Sequence, residues 1–393
     1  MTRRVLFVNL AVALIASAFW AAIGSLVVPH ALHTDFLSFY SGGLLARRGL
    51  FHQLYDAPLQ ASVEKALVPD SSVMMPFIRP PFYAALLAPL TLLPLAPAFC
   101  VWLSTQVAAL LGCWWWLARR FGYDALVFAS LYYPTSVGLS NGQDPVWMLV
   151  IFLSCYALAE RKRDWASGAL LGLAIIKFHL LFLLPLAMAL DKRWRMLAGF
   201  CAVCASAIAI SLALGGTGII VQYIDLLQRH DIKTLDPVPV RMISIRSLAL
   251  NAGWDSPLLN ALLIGVVVLL LLVAAWRAPL WRWFAAACTG TLLVAPHVYG
   301  YDTSILLLPL LLAIFCSTNR FTRIAAATVA IPIPYMVAFF GPPYSAAPVL
   351  AIFLFLIALS WESHLERSHV EACQLAELVS HSLQPAPLGN LPG

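Results

Sequence analysis

Seven ionisable side chains stand out because they sit beside or inside long apolar runs. Asp35 ends the first such run and is followed by Phe36, Phe39 and Tyr40. Lys177 and His179 interrupt GALLGLAIIKFHLLFLLPL, and Asp144 follows Asn141-Gly142-Gln143. His297 and Asp302 belong to the short connector APHVYGYD, and Arg79 stands immediately before Pro80-Pro81. An ionisable group at membrane depth is costly to bury, so each of these marks a functional site by default.

The chemistry open to them differs. Asp35 reads either as a helix N-cap for the segment starting at Phe36 or as a general base, a carboxylate walled by aromatic rings whose pKa is raised by desolvation so that it accepts a hydroxyl proton. Lys177 either snorkels from a helix end or, from the middle of its apolar segment, contacts an anionic headgroup or a leaving phosphate. His297 reads as a loop histidine or, beside Asp302 and two tyrosines, as a hydrogen-bond donor to a phosphoryl oxygen. Gly215-Gly216-Thr217-Gly218 lacks the Lys-Ser or Lys-Thr of a phosphate loop and reads as a flexible turn.

The elements that must position these groups are membrane helices. Of 393 residues 62% are hydrophobic and 11% charged, and the mean hydropathy is +0.86, roughly the inverse of a soluble domain. At about 20 residues per span, Val5 to Trp361 has room for roughly a dozen crossings. That excludes a soluble catalytic domain on an anchor. The eight cysteines lie mostly in apolar segments without repeated spacing and read as packing; Cys201 and Cys204 form a CxxC with no second pair, a poor zinc or redox signal. The start, MTRR before an apolar run from Val5 to Val28, reads as a retained signal-anchor helix.

Basic residues near span ends are retained in the cytoplasm. Arg3 and Arg4, Arg119 and Arg120, Arg161 to Arg163, Lys192 to Arg195, Arg277 and Arg282, and Arg320 and Arg323 therefore mark inner positions. Three polar stretches fall outside by the same reading: the loop from His33 to Arg79, the segment from Gly215 to Pro257, and Ala295 to Asp302. Within the first, Phe36, Tyr40 and Leu44 recur every four residues, as do Leu59, Val63 and Leu67 opposite Gln60, Glu64 and Lys65, two pieces expected to lie along a membrane surface. Phe82–Leu93, Ala125–Leu139, Val146–Ala159 and the halves flanking Lys177 are short for a span and read as broken or re-entrant helices. The expectation is an all-α integral membrane bundle of about 11 to 13 spanning or half-spanning helices over residues 1–361. A polar tail from Glu362, expected to be cytoplasmic and frayed, follows.

Read in order, Asp35-Phe36, FYSGG, LYD, RPPF, LLAPLTLLP, NGQD, ERKRDWASGALLGLAIIKFHLLFLLPL, KRW and APHVYGYDTSILLLPLLL resemble bacterial glycosyltransferase family 87, polytopic enzymes of the GT-C architecture related to polyprenol-phosphate-mannose-dependent mannosyltransferases. The likeness runs from about residue 30 to 315. It implies transfer of a hexose, mannose by default, from a polyprenyl-phosphate sugar to a hydroxyl of a lipid or glycan acceptor at the outer face of the bacterial inner membrane, with inversion. It places the base on Asp35, and Lys177 and His297 against the donor phosphate. Arg79 and Arg241 are further contacts for phosphate or sugar, and Tyr40, Gln143, Asp144, His179, Tyr301 and Asp302 are pocket residues. Many members carry Pro after the lysine, whereas Phe178 stands here, which leaves the local helix break open. Asp35-Phe36-Leu37 replaces the Asp-x-Asp metal motif of several relatives, so no metal or other cofactor is expected. The implied partners are the lipid-linked donor, the acceptor and membrane lipids, which the net charge of +6 suits when they are anionic; no nucleic acid is expected.

Two other classes share this composition. A transporter of lipid-linked glycans favours internal repeats and charges along a path through the bilayer, whereas the candidate residues here gather on one side. A surface-glycan polymerase or ligase would place its key residues in one large late loop, for which Gly215 to Pro257 is the counterpart.

Overall fold

The computed structural model of the chain describes residues 34–70, 74–228 and 239–382, with side chains to residue 368. The expected signal anchor, the basic start and the polar positions from Arg229 to Asp236 lie outside the described residues. Every regular element among the described residues is helical. In order these are α1 (Phe36–Arg47), α2 (Ala57–Leu67), α3 (Pro81–Leu87), α4 (Leu95–Phe121), α5 (Asp124–Leu131), α6 (Tyr133–Ser140), α7 (Pro145–Glu160), α8 (Asp164–Gly172), α9 (Leu184–Leu190), α10 (Trp194–Gln228), α11 (Ile245–Asn251), α12 (Pro257–Ala275), α13 (Leu280–Val294), α14 (Leu307–Cys316), α15 (Arg320–Ala330), α16 (Ile333–Val337) and α17 (Ala347–Ser382). Short 3-10 turns continue several of them, notably Leu173–Leu181 after α8 and Gly300–Leu306 before α14.

Among the described residues five helical stretches are long and apolar enough to cross a bilayer: Leu95–Phe121, Asp164–Leu181, Trp194–Gln228, Pro257–Ala275 and Tyr344–Ser368. The pair Arg320–Ala330 and Ile333–Phe340, bent by 50°, makes a sixth if it is one span. Pro81–Leu92, Pro145–Glu160, Leu280–Val294 and Gly300–Cys316 are shorter apolar helices. The chain is a polytopic helical membrane protein. Its short helices can be short because protein rather than lipid surrounds them. Nearly all of α13 is buried, from Arg282 to Leu293, and so is α14 from Leu307 to Ile314. The long helices around them turn apolar side chains outward, with Ile208, Ile210 and Val221 on α10 and Leu258, Leu262 and Leu269 on α12 exposed. That pattern suits hydrocarbon, which solvates leucine as well as a protein core does.

Helix α4 orients the whole arrangement. Near its start Phe99 packs edge-on against Phe36, centroids 5.3 Å apart, while at its end Phe121 stacks on Phe315 at 5.4 Å and Arg120 pairs with Glu160. The aspartate end and the basic end are therefore opposite ends of one span of about 40 Å.

Four expectations are corrected. Helix α1 does not lie on a surface: all of it from Phe36 to Ala46 is buried, packed against α3 and the turn that follows it. On α2 the buried positions are Gln60, Val63 and Glu64, so the polar face points inward. Gln60 donates to Leu54 O at 2.5 Å and accepts from Phe77 N at 2.9 Å, and Glu64 accepts from Met75 N at 2.8 Å. Backbone groups of residue 54 and of the incoming segment at 75–77 thus bond both side chains, while Glu64 Oε1 has no partner among the described residues. The stretch from Gly215 is not a loop, because α10 breaks at Gly216 (φ 68°) and continues to Gln228. Finally, the run from Glu362 continues α17. Glu362 and Ser363 are buried, Glu362 accepts from Ser317 Oγ at 2.8 Å, and Glu366 meets Arg282 at 2.8 Å.

Candidate active site

The site begins with the turn at residues 141–144, which links α6 to α7. Gly142 has φ 66°, and a Cβ there would lie 2.8 Å from both Phe36 Cβ and Thr34 Oγ1, so a glycine is required for the backbone to approach α1 this closely. Three backbone carbonyls of the turn are taken. Asn141 O accepts from Asp35 N at 3.0 Å, Gly142 O from Trp102 Nε1 at 3.0 Å, and Gln143 O from Gln106 Nε2 at 2.7 Å. The turn is thus fastened to the start of α1 and to α4, and it delivers Gln143 and Asp144 to one point.

Asp35 caps no helix with its side chain. Its Oδ2 accepts from Gln143 Nε2 at 2.7 Å, and Gln143 Oε1 accepts from Arg79 Nη2 at 2.9 Å. The same Nη2 lies 3.2 Å from Asp144 Oδ1, while Tyr83 donates to Asp144 Oδ2 at 3.3 Å. Lys177 Nζ sits 2.9 Å from Asp144 Oδ1 and 2.6 Å from Asp302 Oδ1, and 4.9 Å from the centre of the Tyr301 ring. Asp302 Oδ2 accepts from Tyr299 N at 2.9 Å. Asp35, Gln143, Arg79, Asp144, Lys177 and Asp302 form one continuous polar chain. Arg79, Asp144, Lys177 and Asp302 are all buried.

The local backbone explains how Lys177 reaches this point. Lys177 is non-helical (φ −123°, ψ 61°) inside the turn Leu173–Leu181, so the span breaks there even without a following proline. A broken helix is tolerated at membrane depth where protein or a polar cavity surrounds it. Lys177 is 1% exposed and bonded to two carboxylates, so it does not snorkel. The two carboxylates take two of the three N–H donors of its ammonium.

The remaining candidates divide. His297 packs edge-on against His179, centroids 5.9 Å apart, and against Tyr299 at 5.0 Å; His179 Nε2 is buried without a hydrogen-bond partner among the described residues. These two rings adjoin the Lys177 end. Arg241 is exposed and forms no ion pair among the described residues. Its segment still reaches the connector, since Ile243 N donates to Val298 O at 2.7 Å. Tyr40 is buried, and its hydroxyl donates to Leu93 O at 2.8 Å.

Four further residues complete the arrangement, of which the sequence singles out only Phe39, as a ring beside Asp35. Phe39 underlies Arg79, its ring centre 5.4 Å from the guanidinium carbon. Tyr83 stands one turn after Arg79 in RPPFY. Gln106 was legible as a polar residue in an apolar span. Tyr55 Oη donates to Arg79 O at 2.7 Å and holds that backbone.

Electrostatically the cluster sets three carboxylates against two cations. Burial pushes Asp35 above its ordinary carboxylate range; the Gln143 hydrogen bond, Arg79 and Lys177 oppose this, and Asp144 reinforces it. Chemically, Asp35 is half-buried at the rim and can take a proton, while the groups behind it hold charge in place. Among the described residues no three His, Cys, Asp or Glu are grouped as metal ligands.

No curated protein and no solved structure matches the chain. The family model of glycosyltransferase family 87 matches residues 77–296, a stretch that contains Arg79, Gln143, Asp144, Lys177 and His179 and more than half of the chain. This membrane protein belongs to glycosyltransferase family 87 and is a glycosyltransferase.

Proposed function

We propose that the chain transfers a hexose, mannose by default, from a polyprenyl-phosphate sugar to a hydroxyl of a lipid or glycan acceptor at the outer face of the inner membrane, with Asp35 as general base. A lipid-linked donor keeps its reactive bond at headgroup level, so a base at the end of a span is where the chemistry needs one. The acceptor oxygen attacks the anomeric carbon opposite the phosphate, its proton passes to Asp35, and the bond to the phosphate oxygen breaks with its electron pair, which inverts the centre. The observation that carries this reading is the Asp35 carboxylate, half-buried and backed by a chain of fixed charges.

His297, His179 and Arg241 are the proposed contacts for the leaving phosphate. Lys177, between Asp144 and Asp302, and Arg79, beside Asp144, add positive charge on the same side of the site. Tyr301 and Asp302 shape the pocket wall. The basic clusters at the opposite end support an orientation with that end cytoplasmic.

The test is release of free polyprenyl phosphate from radiolabelled polyprenyl-phosphate sugars by purified protein in lipid, with membrane extract as acceptor and wild type beside Asp35→Asn. Release by the wild type alone supports the reading and names the sugar. No release from any donor, by folded protein and with the acceptor extract varied, overturns it.

A further inference from the structure

The geometry points to Gln143 as the positioning residue of Asp35, with Arg79 setting which end of the Gln143 amide faces the base. This rests on Asp35 being the base. A guanidinium has donors only and no acceptor. Arg79 Nη2 at 2.9 Å from Gln143 therefore requires the amide oxygen on its side, and the NH2 end is left to face Asp35 Oδ2 at 2.7 Å. Among the described residues Gln143 is the only side chain hydrogen-bonded to Asp35. Asp144, 3.2 Å from the same Nη2, keeps the guanidinium from turning away, and Lys177 steadies Asp144 at 2.9 Å.

Two consequences follow for the reaction. Oδ2 is engaged, which leaves Oδ1 as the oxygen that takes the acceptor proton. The bond also favours the ionised carboxylate, against burial and against Asp144. The charged and titratable groups acting on Asp35 are Arg79, Lys177, Asp144 and Tyr301, and none of them donates a hydrogen bond to it. Removing the amide therefore misaligns the base and makes it harder to ionise, while a contact to the sugar alone would change neither.

Two readouts separate these cases. Infrared titration of the carboxyl C=O band, wild type minus Asp35→Asn in lipid, follows Asp35 without any substrate. In Gln143→Leu the midpoint should move to higher pH by about one unit, the loss expected for one hydrogen bond to a charged group. With polyprenyl-phosphate mannose, or whichever donor the wild type uses, kcat should fall about 10- to 100-fold with KM little changed. Arg79→Lys keeps the charge but loses the fork and should shift the midpoint in the same direction.

Should Gln143→Leu fail to fold, Gln143→Glu supplies the test: it keeps the volume and the bond to Arg79 but turns an oxygen toward Asp35, so the midpoint should rise further. An unmoved midpoint in a folded variant overturns the proposal, as does a loss confined to KM. Asp35→Asn with full activity overturns the base assignment and this inference with it. An inactive Asp35→Asn beside an unchanged Gln143→Leu overturns the positioning role alone.

Discussion

Lys177 and Asp302, 125 residues apart in the chain, meet at 2.6 Å between Nζ and Oδ1, both buried. The contact joins the break in the span Asp164–Leu181 to the turn that starts the helix Gly300–Cys316. With Asp144 at 2.9 Å from the same ammonium, one cation holds three segments of the fold together.

Lys177→Met should therefore be a stability variant first. It leaves Asp144 and Asp302 facing each other without their shared cation, and breaking a buried ion pair from one side costs about 3–5 kcal/mol. Thermal unfolding in detergent should show a large drop. Lys177→Met combined with Asp302→Asn should recover part of it, and an additive double variant would show that the two residues are not coupled.

Asp35→Asn should lower transfer by about 10²- to 10⁴-fold, the range for removal of a general base. Its melting temperature should stay near that of the wild type, because the amide fits the same space at the half-buried rim. Donor binding, followed by quenching of intrinsic tryptophan fluorescence, should persist.

The pH dependence of transfer has a definite sign. A base works when deprotonated, and burial raises the Asp35 pKa above 3.8. Activity should therefore climb with pH through a limb displaced upward from the ordinary carboxylate range. A rate–pH profile with its acid limb at or below 3.8 would contradict the assignment.

Glu64 predicts a second pH effect, on stability. Its carboxyl is pushed up to about 7 by burial, against the Met75 N–H and Ser41 bonds that lower it. A raised carboxyl favours the folded state fully below 4.5, and that contribution is lost as pH rises through about 7. Glu64→Gln, which can still accept from Met75 N, should melt above the wild type at pH 8 and close to it at pH 5. Parallel melting curves at both pH values would remove the effect.

The pairing of α8 with α10 depends on close backbone approach. A Cβ on Gly168 would stand 1.8 Å from Met196 O, so Gly168→Ala must push two helices apart. Such overpacking costs about 1–3 kcal/mol, and it should also impair activity because Lys177 follows directly from α8. Size-exclusion profile and melting temperature in detergent check this, and a wild-type melting curve would mean that the helices separate freely.

The membrane class, the helical architecture and the family were legible in the sequence, since apolar composition and the order of short motifs are properties of the chain alone. The ionisable residues in apolar runs were legible too, because burying charge is costly wherever the chain goes: Arg79, Asp144, Lys177 and Asp302 were each picked out singly. Only the tertiary structure decided how they pair. Whether the Tyr40 hydroxyl meets Leu93 O, whether Gln60 and Glu64 point out or in, and whether Lys177 is free or held between two carboxylates all depend on helix rotation and on packing between separate segments, up to 125 residues apart for Lys177 and Asp302. Periodicity within one helix says which residues share a face. It does not say whether that face meets lipid, water or the backbone of another segment, and here the backbone of residues 75–77 claimed the polar face of α2.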